Sequence, residues 1–178
     1  MISIYQGAPQ DISARAENEQ AVYRFLTELG VPFARADHPA ANTMADCQAV
    51  DAALGVEMCK NLFLCNQQKT QFYLLLIRGE KAFKTKDISH QLGVSRLSFG
   101  DAEHMEALLH IRPGAVSPMG LLFENAKGVR LLMDRALLAQ PFLGCHPCVN
   151  TSSLRLAMSD FLERFLPAVG HEVTYVDI

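Results

Sequence analysis

Two apolar runs, residues 58–65 and 71–77, stand on either side of five consecutive polar residues, Asn66, Gln67, Gln68, Lys69 and Thr70. Each run has the length of a strand, and a brief polar connection lets the second fold back on the first. The pair predicts a β-hairpin, so the fold is built around a sheet. The shortness of such runs also excludes a class. Residues 72–77 and 129–133 are far too short to cross a bilayer as a helix, which takes roughly 20 apolar residues.

The rest of the chain mixes helical and extended patterns. Ala21, Val22, Phe25, Leu26 and Leu29 recur at helical spacing within residues 14–29, and Gly30 followed by Pro32 stops that helix. Residues 33–37 read as a short strand. Thr43 is placed to cap a second helix to about Leu54, closed by Gly55. Residues 86–92 and 101–110 read as short helices, and residues 112–118, with two prolines and a glycine, as an ordered turn. Residues 129–134 and 141–144 read as strands. Ser159 is placed to cap a last helix to about Val169, and residues 172–176 alternate as a closing strand. There is no internal repeat, low-complexity tract or linker, so residues 1–178 are expected to form one domain. Helices and strands do not follow a regular βαβ order, which predicts an α+β fold with a mixed β-sheet surrounded by helices.

Composition narrows the function. The chain is 49% hydrophobic and 20% charged, ordinary for a soluble protein. Residues 1–11 lack a basic start and an apolar stretch, and the expectation is a cytoplasmic protein with no membrane partner. Five cysteines, an odd number, argue against a disulfide framework. The formal net charge is −3, whereas proteins that grip long stretches of phosphate backbone are usually basic. Any nucleic-acid contact is therefore local, or weak and salt-dependent.

Three segments carry candidate chemistry. Lys60 and Asn61 open the first strand of the hairpin, where an ammonium is costly unless it is partnered or reaches water. Residues 112–118 form a turn whose glycine, Gly114, permits positive φ and whose backbone N–H groups can face a ligand oxygen; a plain connection is the bland alternative. Residues 144–151, Gly-Cys-His-Pro-Cys-Val-Asn-Thr, are the densest reactive cluster. Cys145 and Cys148 read as a redox pair, or with His146 as metal ligands, or as incidental neighbours of a pocket lined by His146. The redox reading is weakened because Pro147 and Asn150 oppose an immediate helix. The metal reading lacks a second ligand pair at suitable spacing. No metal and no cofactor are expected.

Taken together and in this order, the Lys-Asn strand start, the Pro-Gly-x-Val-Ser-Pro turn and the Gly-x-His-Pro-x-x-Asn-Thr stretch resemble the YbaK/ProX-type aminoacyl-tRNA editing domains, in their free-standing prolyl-tRNA editing branch. The resemblance covers nearly the whole chain. It takes in Phe25 to Pro39, with Asp37-His38-Pro39, then Leu92 to Phe99, and ends at Gly170-His171. It implies a partly barrel-like sheet and hydrolysis of the ester between an amino acid and the terminal adenosine of tRNA. Alanine on proline tRNA is the implied substrate, with removal of cysteine or serine, or tRNA binding without hydrolysis, as alternatives. The implied partners are the acceptor end of aminoacyl-tRNA and a prolyl-tRNA synthetase. Lys60, His146 and Gly114 match catalytic positions. Asn61, Ser117, Pro118, Gly144 and Asn150 match substrate-binding ones. Ala115 and the two cysteines depart from the family pattern, which bears on pocket size.

Such an ester is already activated, so the demand falls on stabilising the carbonyl oxygen and placing a water rather than on a strong nucleophile. Lys60 is expected to anchor phosphate or carbonyl oxygen, and His146 to orient the aminoacyl group. Arg78, Lys81, Lys84, Lys86 and Arg96 lie within twenty residues of one another and are the candidate tRNA contacts, against Glu80 and Asp87 in the same stretch.

Overall fold

The computed structural model describes residues 1–41 and 43–178. An edge strand, β1 (Ser3–Gln6), leads into helix α1 (Glu17–Leu29), which buries Val22, Tyr23 and Leu26. Gly30, in the left-handed conformation at φ 70°, returns its N–H to Leu26 and Thr27 and ends that helix. Strand β2 (Phe33–Asp37) follows, then helix α2 (Met44–Leu54). Thr43 and Asp46 cap each other's backbone at the start of α2, and a left-handed Gly55 closes it, as their positions in the sequence predict.

The hairpin forms as β3 (Lys60–Cys65) and β4 (Phe72–Ile77), antiparallel, with Lys60 opposite Ile77. Asn66 holds the connection by accepting from the backbone of Thr70 and Gln71. Next come α3 (Thr85–Leu92), the two-residue β5 (Ser98–Phe99), α4 (Ala102–Leu109), capped by Asp101, and β6 (Val129–Asp134). The chain finishes with β7 (Phe142–Cys145), β8 (Ser152–Ala157), a last helix α5 over residues 158–169, and β9 (Val173–Val176).

The strands make two sheets. One is antiparallel in the order β1-β2-β8-β7. The other runs β5-β3-β4-β6-β9 and is mixed, since β6 lies parallel to both β4 and β9. Among the described residues a single parallel bridge, Met58 to Gly144, joins them, so the sheets meet without closing into a barrel. The five-stranded sheet is covered on both faces. Phe63, Leu74, Leu76, Leu131 and Met133 share one core with α1 and the other sheet, while Leu64, Tyr73, Leu75 and Leu132 pack on Ile88 of α3. Burial on both sides explains why Tyr73 to Ile77 is uniformly apolar instead of alternating.

Three features depart from the sequence expectations. Strands β1, β5 and β8 were not legible, because β1 is mostly exposed, β5 is two exposed residues and β8 carries two serines and an arginine among its apolar residues. The last helix starts at Met158 without a side-chain cap from Ser159. Its middle turn, Phe161–Phe165, is π-wound just before Pro167, which has no N–H to give to the turn behind it and whose ring crowds that turn.

Candidate active site at the junction of the two sheets

The bridge between the sheets builds the site. Cys59 N donates to Gly144 O at 3.1 Å, beside the Met58–Gly144 pair. The two segments run parallel there, so Lys60 and His146 each stand two residues beyond the same bridge, within about 7 Å of it along their own chains. The approach favours glycine. A Cβ on Gly144 would sit 3.0 Å from Met58 Sδ and 3.1 Å from the Glu57 carbonyl oxygen. Met58 is fixed in turn by Asp51 of α2, whose Oδ1 accepts its N–H at 3.3 Å, and Glu57 is fixed by Arg78 at 3.1 Å.

Alternation along β3 assigns its side chains. Asn61 lies on the same side as Cys59 and Phe63, toward the shared core. Its Nδ2 donates to Cys59 O at 3.0 Å. Lys60 lies on the opposite side with Leu62 and Leu64. It is exposed, with its ammonium 5.9 Å from the centre of the Phe83 ring. No hydrogen bond or ring contact joins Lys60 to His146 among the described residues. The two meet through the backbone junction rather than side chain to side chain.

His146 is half-buried on the loop leaving β7. Its Nδ1 lies 2.9 Å from the Ser152 carbonyl oxygen and 3.4 Å from Ser153 Oγ, and its own carbonyl accepts from Ser117 Oγ. Burial pushes the imidazole below its usual range. The Ser152 carbonyl works against this and nearby His38 adds to it, so the ring is neutral at pH 7. A carbonyl only accepts, which puts the proton on Nδ1. Nε2 makes no hydrogen bond within the described residues and offers a bare lone pair.

Of the other matched positions, Asn150 lines a separate open cleft of about 660 Å³. Arg112, Pro113, Ala115, Cys148, Val149 and Asn150 line it, together with the start of α1 and the end of α4. Gly114 sits exposed at its turn with φ 94°, a conformation glycine adopts without strain. Loop 146–150 thus has the sheet junction on one side and the cleft on the other.

Residues 38–163 match the aminoacyl-tRNA editing domain family. The chain belongs to that family. It is 26% identical over 160 residues to the prolyl-tRNA editing protein ProX of Acetoanaerobium sticklandii, covering 90% of this chain and 97% of that one. It is also 27% identical over 166 residues to the prolyl-tRNA synthetase associated domain-containing protein 1 of Danio rerio, covering 92% of this chain and 86% of the relative. In fold it is similar to a crystal structure provisionally assigned as a trans-editing enzyme for prolyl tRNA synthetase. The TM-score is 0.68 at 16% identity, over 93% of this chain and 99% of that one.

Within this editing domain, Asn61, Ser117, Gly144 and His146 lie at the junction, Lys60 projects from the opposite face of β3, and Asn150 lines the cleft, next to the turn that holds Gly114. Pro118 is buried at the first position of the turn that follows Ser117. Cys145 and Cys148 are free, as is Cys59 beside them, and all three are buried. Burial raises all three thiols, Cys59 to about 12, which makes them poor thiolates and weakens the redox reading. Of the cation stretch, Arg78 pairs with Glu57 at 3.1 Å and Lys81 with Asp134 at 2.7 Å. Lys84, Lys86 and Arg96 are exposed without a carboxylate partner among the described residues. No described helix is long and apolar enough to cross a membrane.

Sequence reasoning missed three residues around His146. Ser153 and Ser152 come from the unforeseen strand β8, and His38 follows directly on β2. The available signal was the Asp-His-Pro stretch, which puts a polar ring at the mouth of a strand, and the Ser-Ser pair that opens an otherwise apolar alternation.

Proposed function

We propose that this editing domain acts as a free-standing deacylase and that its substrate is alanine wrongly attached to proline tRNA. Editing an aminoacyl-tRNA means hydrolysing the ester to its terminal ribose. The observation that carries the reading is the parallel bridge at Gly144. It sets an exposed lysine and a neutral imidazole with a free acceptor nitrogen on two sides of one backbone junction.

In this reading, His146 Nε2 accepts from the α-ammonium of the amino acid and holds its carbonyl at the junction. A hydrogen bond to a charged donor is worth roughly 1.5–3 kcal/mol. Lys60 stays charged at the rim and takes the terminal phosphate. The 2′-hydroxyl of the ribose and the surrounding backbone place the water. From Lys60 the tRNA continues past Phe83 toward Lys84 and Lys86, the cations left free by the local ion pairs. Because Lys60 anchors rather than reacts, Lys60→Ala is expected to raise KM about tenfold or more, with a smaller loss in kcat. Steady-state deacylation checks this, and full activity in that variant contradicts the role.

Selectivity follows from size. A pocket that accepts the methyl of alanine excludes the proline ring by overlap, the fine half of a double sieve. A panel of alanine, proline, serine and cysteine charged on proline tRNA tests the assignment. The expected result is rapid release of alanine and retention of proline. Preferential release of cysteine or serine transfers the activity to that amino acid, and binding without turnover of any of the four refutes hydrolysis.

A further inference from the structure

A directed chain of hydrogen bonds runs behind His146. His38, immediately after β2, has Nδ1 at 2.8 Å from the Pro39 carbonyl oxygen and Nε2 at 2.9 Å from Ser153 Oγ. Its carbonyl neighbour can only accept, so His38 carries its proton on Nδ1 and Nε2 is an acceptor. The Ser153 hydroxyl hydrogen therefore points at His38. What Ser153 presents to His146 Nδ1, 3.4 Å away, is oxygen lone pairs. The second group facing Nδ1, the Ser152 carbonyl at 2.9 Å, is an acceptor as well. Ser152 is itself held, since its hydroxyl donates to Asp37 Oδ1 at 2.8 Å and lies 3.2 Å from Glu19 Oε1. Ser152 and Ser153 are almost fully buried and His38 nearly so, and water does not readily take over these roles.

We infer that His38 and Ser153 are positioning residues that, beside the Ser152 carbonyl, lock the His146 proton onto Nδ1 and so keep Nε2 bare for the substrate. The inference rests on the proposed reading of His146 as the residue facing the amino acid. The order matters chemically. If Ser153 turned its hydrogen toward His146, the imidazole could move its proton to Nε2, which would then repel an ammonium donor instead of accepting from it. Asp37 belongs to the same device one step back, because it fixes the residue whose carbonyl meets Nδ1.

The test is long-range proton–nitrogen NMR of the histidine rings, with the His146 signals assigned by their loss in His146→Gln. In the unmodified protein, His146 is expected to show a protonated Nδ1 and an unprotonated Nε2. In Ser153→Ala and in His38→Ala the signals are expected to shift toward a mixture of the two forms. kcat for deacylation is expected to fall about tenfold, the scale of one ordinary hydrogen bond. His38→Gln, whose amide oxygen can take the place of Nε2, is expected to restore the signals and most of the rate. A proton on Nε2 in the unmodified protein overturns the proposal without requiring any variant to fold, and so do unchanged signals and rates in both alanine variants. Deacylation by His146→Ala separates the two readings. Full activity there defeats the substrate-facing role of His146, whatever the ring spectra show.

Discussion

His146→Ala is expected to lower kcat/KM for deacylation between ten- and a hundredfold while leaving the fold intact. The magnitude is that of one hydrogen bond between a neutral acceptor and a charged donor, about 1.5–3 kcal/mol, and each 1.36 kcal/mol is a factor of ten. The ring is half-buried on a loop, and its backbone is held independently through the Ser117 bond to its carbonyl. Truncation therefore removes the imidazole without dismantling the junction. A second outcome belongs to the same variant. If His146 orients the amino acid rather than serving as the main base, the rate rises with pH in the variant as it does in the parent. A pH–rate series on both proteins separates orientation from general-base catalysis, for which a larger loss of 10²–10⁴-fold and a flattened profile are expected.

The largest expected loss of stability comes from Asp37→Ala. Asp37 receives both arms of Arg15, at 2.7 and 3.1 Å, and lies 3.2 Å from the Nε of Arg35. The Arg35 side chain is only 4% exposed, and without Asp37 its guanidinium is left in the interior with no carboxylate at that distance. Removing one partner from a buried pair costs about 3–5 kcal/mol, and because Asp37 keeps a quarter of its surface we expect about 3. For a domain of this size that is a fall in Tm of roughly 6–12 °C, measurable by thermal unfolding. Burial raises the Asp37 pKa, but the bonds from Arg15 and Ser152 and the nearby Arg35 outweigh it, and the net direction is down from 3.8. A lowered carboxylate stabilises the fold above its ordinary pKa and loses that contribution as pH falls through the folded value. The gap between parent and Asp37→Asn in urea unfolding is thus expected to be full at pH 7 and to narrow on acidification below 3.8. A gap that stays constant with pH contradicts the assignment.

The parts of this architecture that could be read from sequence are those with a local physical signature. The hairpin declared itself through apolar runs around Asn66 to Thr70, and α2 through Thr43, Asp46 and Gly55, since turn and cap chemistry act over a few residues. Lys60 and His146 stood out because a lysine at a strand start and an imidazole in a Gly-Cys-His-Pro turn are unusual locally. What remained hidden depends on distant pairing. Strand β8 exists because β2 and β7 flank it, and the roles of Ser153 and His38 arise only when residues 115 apart in sequence touch. How far the partly barrel-like sheet implied by resemblance closes was hidden for a similar reason. Whether two sheet edges join along their length or at one bridge is settled by packing between residues near 58 and 144.

The proposal seats the aminoacyl end at the junction, and the open cleft lined by Arg112, Ala115 and Asn150 is the competing place for it. The most direct measurement is a crystal structure of the protein with a non-hydrolysable 3′-alanylamino analogue of the tRNA terminus, read for the position of the amino acid. The account predicts the alanyl group beside Asn61, Gly144 and His146, with its ammonium on Nε2 and the phosphate near Lys60. An alanyl group seated in the other cleft, against Glu106, Arg112 and Asn150, contradicts it.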